Sequence, residues 1–269
     1  MNPAQRPVRT ASEWTRASFE ALFQGDLLAL RVFPFVEERT RQHWKRALDD
    51  PSRFSRYANA PDVEISTLGM TLFETKSKAE RLQEYFRVAE QFEERMARLF
   101  SPQPSPFALI QRRLAAFWPA GTQVGTLRER ALCPGIVRKF EQANSDGLPP
   151  HQDMLQKDIS ASHDEAASDL QAQVAVNLYI EVPERGGELE LWDVRPDGEE
   201  REAMLSGEHD FIDRSALPEP RELRPRGGEL ILFRSDHVHA VRGMYQENRV
   251  AASCFLGYYG DEEPIRYWA

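Results

Sequence analysis

At about Gly135 the hydrophobic pattern of this chain changes period, and that change limits the folds open to it. Downstream, short runs rich in Val, Ile, Leu, Tyr and Phe alternate apolar with polar residues and are separated by Gly, Pro, Asn and Asp, as half-buried strands are. The spacing predicts strands over Ile136–Phe140, Val174–Val182, Glu188–Val194, Glu229–Arg234, Val238–Arg242 and Val250–Tyr258. Upstream, to about Trp118, apolar residues recur mainly at helical spacing. From Ser77 to Phe100, Leu82, Tyr85, Phe86, Ala89, Phe92, Met96, Leu99 and Phe100 fall on one stripe, and Ser77 with Glu80 has capping-box spacing. Pro102, Pro104 and Pro106 then interrupt the chain before a second apolar helix that stops at Pro119. The expected class is α+β.

A chain of 269 residues that is 41% hydrophobic can bury one good core. The expectation is a single catalytic domain over 1–269, mainly helical over 1–120 and built on a β core over 135–260. The stretch from Arg195 to Arg224 is polar, contains prolines and is long for a connection, which suits an inserted lid or substrate loop. The polar segment Ser160–Ser168 is a candidate loop at the mouth of a site. Two strands are entered by similar phrases, Pro183-Glu184-Arg185-Gly186-Gly187-Glu188-Leu189 and Pro225-Arg226-Gly227-Gly228-Glu229-Leu230, in which Gly-Gly permits positive φ in a tight turn.

The net charge of −9 argues against nucleic acid or an anionic membrane as the main partner, because the long-range field repels phosphates. No apolar run approaches the roughly 18 residues needed to span a bilayer, and the first residues lack the apolar centre of a signal peptide, so a cytoplasmic location is expected. Cys133 and Cys254 stand alone and read as small buried residues.

In His151-Gln152-Asp153 an imidazole and a carboxylate stand at i and i+2, so an extended backbone points both to one face. A third ligand from another strand would complete a two-histidine, one-carboxylate set that leaves positions open on ferrous iron, and His239 is the candidate. His237 competes with it, since a His-x-His pair on a strand also suits a cupin-type metal site. Arg249 follows His239 by ten residues across a turn holding Gly243 and Asn248, and its planar guanidinium can hold a carboxylate bidentately while staying charged when buried. Asn177 and Tyr179 share one face of their strand and could hydrogen-bond a cosubstrate or substrate; an outward polar face is the other reading. Trp192 and Ser253 are weaker candidates of the same kind, and Phe54, Arg56 and Tyr57 could border a substrate pocket. His43, His163 and His209 have no partner at ligand spacing.

Taken in order, H-x-D, the run Gly186-Gly187-Glu188-Leu189-Glu190-Leu191-Trp192, the strand from Gly228 to Phe233, His239-Ala240-Val241 and Arg249 resemble the Fe(II)/2-oxoglutarate dioxygenase superfamily over roughly Gly135 to Tyr258. The resemblance implies a double-stranded β-helix, or jelly roll, with N-terminal supporting helices. It also implies oxidation of an unactivated C–H bond, with Fe(II) as cofactor, 2-oxoglutarate and O2 as cosubstrates, and succinate and CO2 as coproducts. Within the superfamily the phrase Gln173-Val174-Ala175-Val176-Asn177-Leu178-Tyr179-Ile180 is most similar to bacterial enzymes acting on amino acids, a group related to radical halogenases. Those halogenases have a small residue where this chain has Asp153, so the departure favours hydroxylation of an amino-acid-like substrate. Oligomeric state is left open by the sequence, as are a metalloenzyme that does not use 2-oxoglutarate and a ligand-binding jelly roll without activity.

Overall fold

In a computed structural model of the chain, residues 6–57, 64–75, 78–141, 146–159 and 169–269 are described. Strands β1 (Val8–Ala11) and β2 (Ala29–Val32) flank helix α1 (Arg16–Phe23), and helix α2 (Glu38–Ala47) precedes the short strands β3 (Ser55–Arg56) and β4 (Ile65–Leu68). Helices α3 (Ala79–Phe100) and α4 (Pro106–Ala115) follow. Short strands β5 (Thr122–Val124), β6 (Thr126–Leu127) and β7 (Arg130–Ala131) lead to β8 (Ile136–Phe140), β9 (Leu148–His151) and the single turn α5 (Leu155–Asp158). The remainder holds β10 (Ala172–Glu181), β11 (Leu189–Leu191), α6 (Gly198–Ser206), β12 (Arg221–Leu223), β13 (Leu230–Arg234), β14 (His239–Val241), β15 (Arg249–Tyr258) and β16 (Ile265–Trp268).

Apart from the β6–β7 pair, the strands form the two sheets of a jelly roll. The major sheet runs β1-β2-β13-β10-β15-β8-β4-β3, with β16 and β5 attached beside β15, and the minor sheet runs β12-β11-β14-β9. The ten-residue strands β10 and β15 pair antiparallel along almost their whole length and form its spine, with one register shift between Tyr179 and Glu181. Apolar residues from both sheets and from the helices meet in one main cluster that includes Phe19, Trp44, Tyr85, Phe92, Phe100, Trp118 and Trp268.

Helix α3 buries Tyr85, Phe86, Ala89, Phe92, Met96 and Phe100 along the expected stripe. It begins with Lys78 at the N-cap and no side-chain cap, and Ser77 lies outside the described residues. Helix α4 is started by Pro106 at its first position and by Ser105, whose side chain accepts a hydrogen bond from the Ala108 amide at 3.1 Å. The first third is less purely helical than the periodicity suggests, since β2 and β4 enter the major sheet against β13 and β8. Both are four-residue, largely buried runs, which period alone cannot separate from buried helix.

The segment from Arg195 to Arg224 is ordered as well: it contributes α6 and the edge strand β12, which pairs with β11. In the two similar phrases the second glycines, Gly187 and Gly228, do take positive φ, at +70° and +82°. Both cysteines are buried. No helix among the described residues is long and apolar enough to cross a membrane.

Candidate metal and cosubstrate site

His151 ends β9 and His239 begins β14, and the two stand directly opposite each other in the ladder between those strands. Their rings lie 4.2 Å apart, centroid to centroid. Asp153 follows β9 in a segment held firmly at its backbone: its amide donates to Ser235 O at 3.0 Å, and its carbonyl accepts from Ser235 Oγ at 3.0 Å and from Gln173 Nε2 at 3.2 Å. One donor atom each of His151, Asp153 and His239 falls within 4.8 Å of the other two. Asp153 Oδ2 is 3.2 Å from His239 Nε2 and 3.9 Å from His151 Nε2.

The tautomers follow from what the other ring nitrogens touch. His151 Nδ1 is 2.7 Å from the carbonyl of Pro149 and His239 Nδ1 is 2.9 Å from that of His237, so in each ring the proton belongs on Nδ1 and the Nε2 lone pair turns toward Asp153. Burial, reinforced by the neighbouring His239, pushes the His151 pKa down to about 3 and keeps that ring neutral. Burial alone would raise the Asp153 pKa; the adjacent imidazoles of His239 and His151 and the Arg138 guanidinium outweigh it and hold the carboxyl ionised. Two imidazoles and one carboxylate converging on a point fit a divalent metal with open coordination positions.

Arg249 opens β15 and is 3% exposed. Its Nη2 donates to Tyr179 Oη at 3.1 Å, and its guanidinium carbon lies 4.9 Å from the ring centres of both Tyr179 and Phe140. Its Nε has no partner, and among the described residues no carboxylate lies within 4.0 Å of the group. A buried guanidinium that lacks an anion is poised for an incoming carboxylate. Asn177 stands opposite Ser253 in the β10–β15 ladder and accepts its hydroxyl at 2.6 Å. Residues directly opposite in a ladder share a face, and Tyr179, Ala251, Arg249 and Arg138 belong to that same face.

His237 turns elsewhere: it contacts Asp236 through Nδ1 at 3.1 Å and Arg6 through Nε2, so the structure does not join it to the triad as a cupin-type ligand. His43 caps the Phe100 carbonyl at 2.9 Å, His209 lies 3.7 Å from Glu200, and His163 is outside the described residues together with 160–168. Trp192 is a packing residue, its indole nitrogen donating to Pro218 O at 2.6 Å.

Beside the triad is a cavity that opens to solvent. Leu148, Ile65, Phe73, Phe211 and Phe255 supply apolar wall, and the segment between Arg195 and Arg224 contributes Asp210 and Phe211. That segment is tied to β9 by the Ile212 amide, which donates to Pro150 O at 2.8 Å, and to α5 by the Lys157–Asp210 ion pair at 3.0 Å. Of the three early candidates for a pocket, Tyr57 lines it, whereas Phe54 packs on the main core and Arg56 faces Glu141 at 3.8 Å.

Arg138 also lines the cavity and was not singled out in the sequence. The available signal was a charge at the middle inward position of Ile136-Val137-Arg138-Lys139-Phe140, between Ile136 and Phe140. Its Nε donates to Tyr57 Oη at 3.0 Å. Burial opposes its charge, yet Tyr57, Asp153 and Glu74 together raise its pKa, so it is a cation facing the cavity.

Residues 25–269 match the family of the carrier-protein-independent halogenase WelO5. In sequence the chain is 26% identical over 145 residues to the L-isoleucine 3(1)-dioxygenase of Pantoea ananatis, covering 51% of this chain and 47% of that protein. It is 27% identical over 156 residues to the L-gamma-glutamyl-L-propargylglycine hydroxylase of Streptantibioticus cattleyicolor, covering 57% of this chain and 55% of that protein. The matches thus span about half the length of these two relatives. In structure it is similar to the N-substituted L-amino acid dioxygenase from Burkholderia ambifaria, with a TM-score of 0.65, 17% identity and coverage of 94% and 91% of the two chains. The same protein in complex with alpha-KG gives a TM-score of 0.61 with 17% identity, covering 94% of this chain and 90% of that one.

Proposed function

This chain belongs to the family of the carrier-protein-independent halogenase WelO5, and from that premise we propose that it is an Fe(II)- and 2-oxoglutarate-dependent oxygenase that hydroxylates an aliphatic C–H bond of a small, amino-acid-like substrate. The observation that carries the reading is the convergence of His151, Asp153 and His239 with both Nε2 lone pairs turned inward. These three residues would hold ferrous iron. Arg249, with Tyr179 beside it, would hold the remote carboxylate of 2-oxoglutarate, and the Asn177–Ser253 pair lies on the same inner face. When bound, iron with 2-oxoglutarate and O2 supplies the oxidising power for replacing C–H by C–OH, with succinate and CO2 as coproducts.

What the chain itself contributes is position and exclusion of water. The backbone bonds around Asp153 fix the carboxylate against the two imidazoles, and Leu148, Phe211 and Phe255 keep the adjoining wall apolar, where a hydrocarbon side chain can be held near the metal. Asp153 also favours hydroxylation within a family named for halogenation. Its carboxylate would take the coordination position that a halide needs, and the halogenases that the chain resembles have a small residue there. The names of the two sequence relatives, a dioxygenase of L-isoleucine and a hydroxylase of a dipeptide, support an amino-acid-like substrate.

The test is anaerobic addition of Fe(II) and then 2-oxoglutarate to the purified protein, followed by succinate release in air with a panel of L-amino acids. The expected result is a weak visible charge-transfer band on adding 2-oxoglutarate, with substrate-dependent succinate release that Asp153→Ala abolishes. Bound iron without any band would overturn the 2-oxoglutarate assignment, and full activity in Asp153→Ala would remove Asp153 from the metal site.

A further inference from the structure

The inner face of the major sheet carries two cations, and the proposed cosubstrate occupies only one of them. Arg249 lies opposite Phe140, while Arg138 lies one inward position further along β8, opposite Ala251 on one side and Thr67 on the other. Among the described residues Arg138 makes one hydrogen bond, from its Nε to Tyr57 Oη, and no ion pair within 4.0 Å. Its two terminal nitrogens are therefore left to the cavity that also holds His151 and Asp153. Asp153 and Glu74 offset its charge from a distance, and its terminal nitrogens remain open to a closer anion.

We propose that Arg138, steadied by Tyr57, anchors a free α-carboxylate of the substrate, so that the enzyme takes amino acids or N-acylamino acids with an open carboxyl group in preference to amides, esters or thioesters. The proposal rests on the hydroxylase reading above and narrows its substrate class. A carboxylate held by the planar fork of Arg138 leaves the substrate side chain to the apolar wall of Phe73, Phe211 and Phe255, in the cavity that His151 and Asp153 also line. Tyr57 fixes the rotation of the guanidinium, since its hydroxyl takes the Nε–H and leaves the outer edge for the ligand.

The experiment titrates the anaerobic Fe(II)–2-oxoglutarate protein with the L-amino acids, their N-acetyl derivatives and the matching carboxamides, reading the perturbation of the visible band and the heat of binding. At least one acid is expected to bind about tenfold to a hundredfold more tightly than its amide, the range of a charge-assisted hydrogen-bonded pair. In Arg138→Gln the acid should lose that advantage while the Kd for 2-oxoglutarate stays within twofold, and Arg138→Lys should recover part of it. Equal binding of acids and amides by the unaltered protein, or binding by none of the panel although the 2-oxoglutarate band forms, overturns the proposal and leaves the oxygenase reading standing. A rise in the 2-oxoglutarate Kd in Arg138→Gln assigns the residue to the cosubstrate instead. Absence of the band in the unaltered protein removes the reading on which the proposal rests. The acid–amide comparison needs no variant, so it decides the matter even if Arg138→Gln does not fold.

Discussion

Replacing Arg249 by Met separates binding from stability in a way that a structural role would not. Met preserves an unbranched stem between Phe140 and Tyr179 and removes the charge. In the ligand-free protein Arg249 is 3% exposed, donates one hydrogen bond to Tyr179 and leaves Nε orphaned. Losing that bond costs about 1 kcal/mol, and losing two ring contacts at 4.9 Å costs about 1–3 kcal/mol together. Against this, a buried charge without a counterion carries a desolvation penalty of several kcal/mol, which the substitution relieves. The melting temperature of ligand-free Arg249→Met is therefore expected to stay level or rise. With 2-oxoglutarate the balance reverses, because taking one partner from a buried ion pair costs about 3–5 kcal/mol. At 1.4 kcal/mol per decade, this is a Kd weakened by roughly a hundredfold to a few thousandfold. The assay pairs band titration with thermal melts. At a ligand concentration of about 100 Kd the unaltered protein should gain about 2.7 kcal/mol of stability from 2-oxoglutarate, and the variant almost none. A variant that binds 2-oxoglutarate within threefold of normal, or one that melts far lower without ligand, would refute the argument.

Burial pushes the thiols of Cys133 and Cys254 up to about 12, so neither is expected to react with iodoacetamide at pH 8 until denaturant is added, as mass spectrometry would show. Because the unfolded thiols ionise near their ordinary value of 9.0 and the folded ones do not, this contribution to stability is complete below pH 9 and is lost as pH rises toward 12, and thermal melts should show the decline. Ser105→Ala removes the cap from α4 and should cost about 1 kcal/mol in urea unfolding, whereas Ser105→Asp should retain most of it.

The parts of the fold legible in the sequence are those with a period of their own. Strand β8 has the boundaries the alternation suggests, and α3 shows its stripe, since each buries one face against a continuous core. Strands β2 and β4 were not legible because four buried residues carry no period and their ladders are completed by distant strands, β13 and β8. The stretch from Arg195 to Arg224 reads as an insertion loop, yet it forms α6 and β12: the helix has little amphipathic pattern, and the strand exists only because β11 pairs with it. The triad was visible because H-x-D brings two ligand types to one face and His239 begins another strand. Arg138 was not, because a lone arginine in a strand does not reveal that it faces a cavity.

The ladder between β9 and β14 sets His151 opposite His239 although 88 residues separate them (239 − 151). An ion chelated there would act as a reversible cross-link between two distant points of the polymer. By the chain-entropy reckoning used for disulfides, closing a loop of that length in the unfolded chain removes about 4–5 kcal/mol of disorder. Strand β9 is also the outermost strand of the minor sheet, joined to it through β14 alone. A metal bound at this rung would therefore fasten the sheet at its loosest margin, so that filling the site and closing the sheet would be one event.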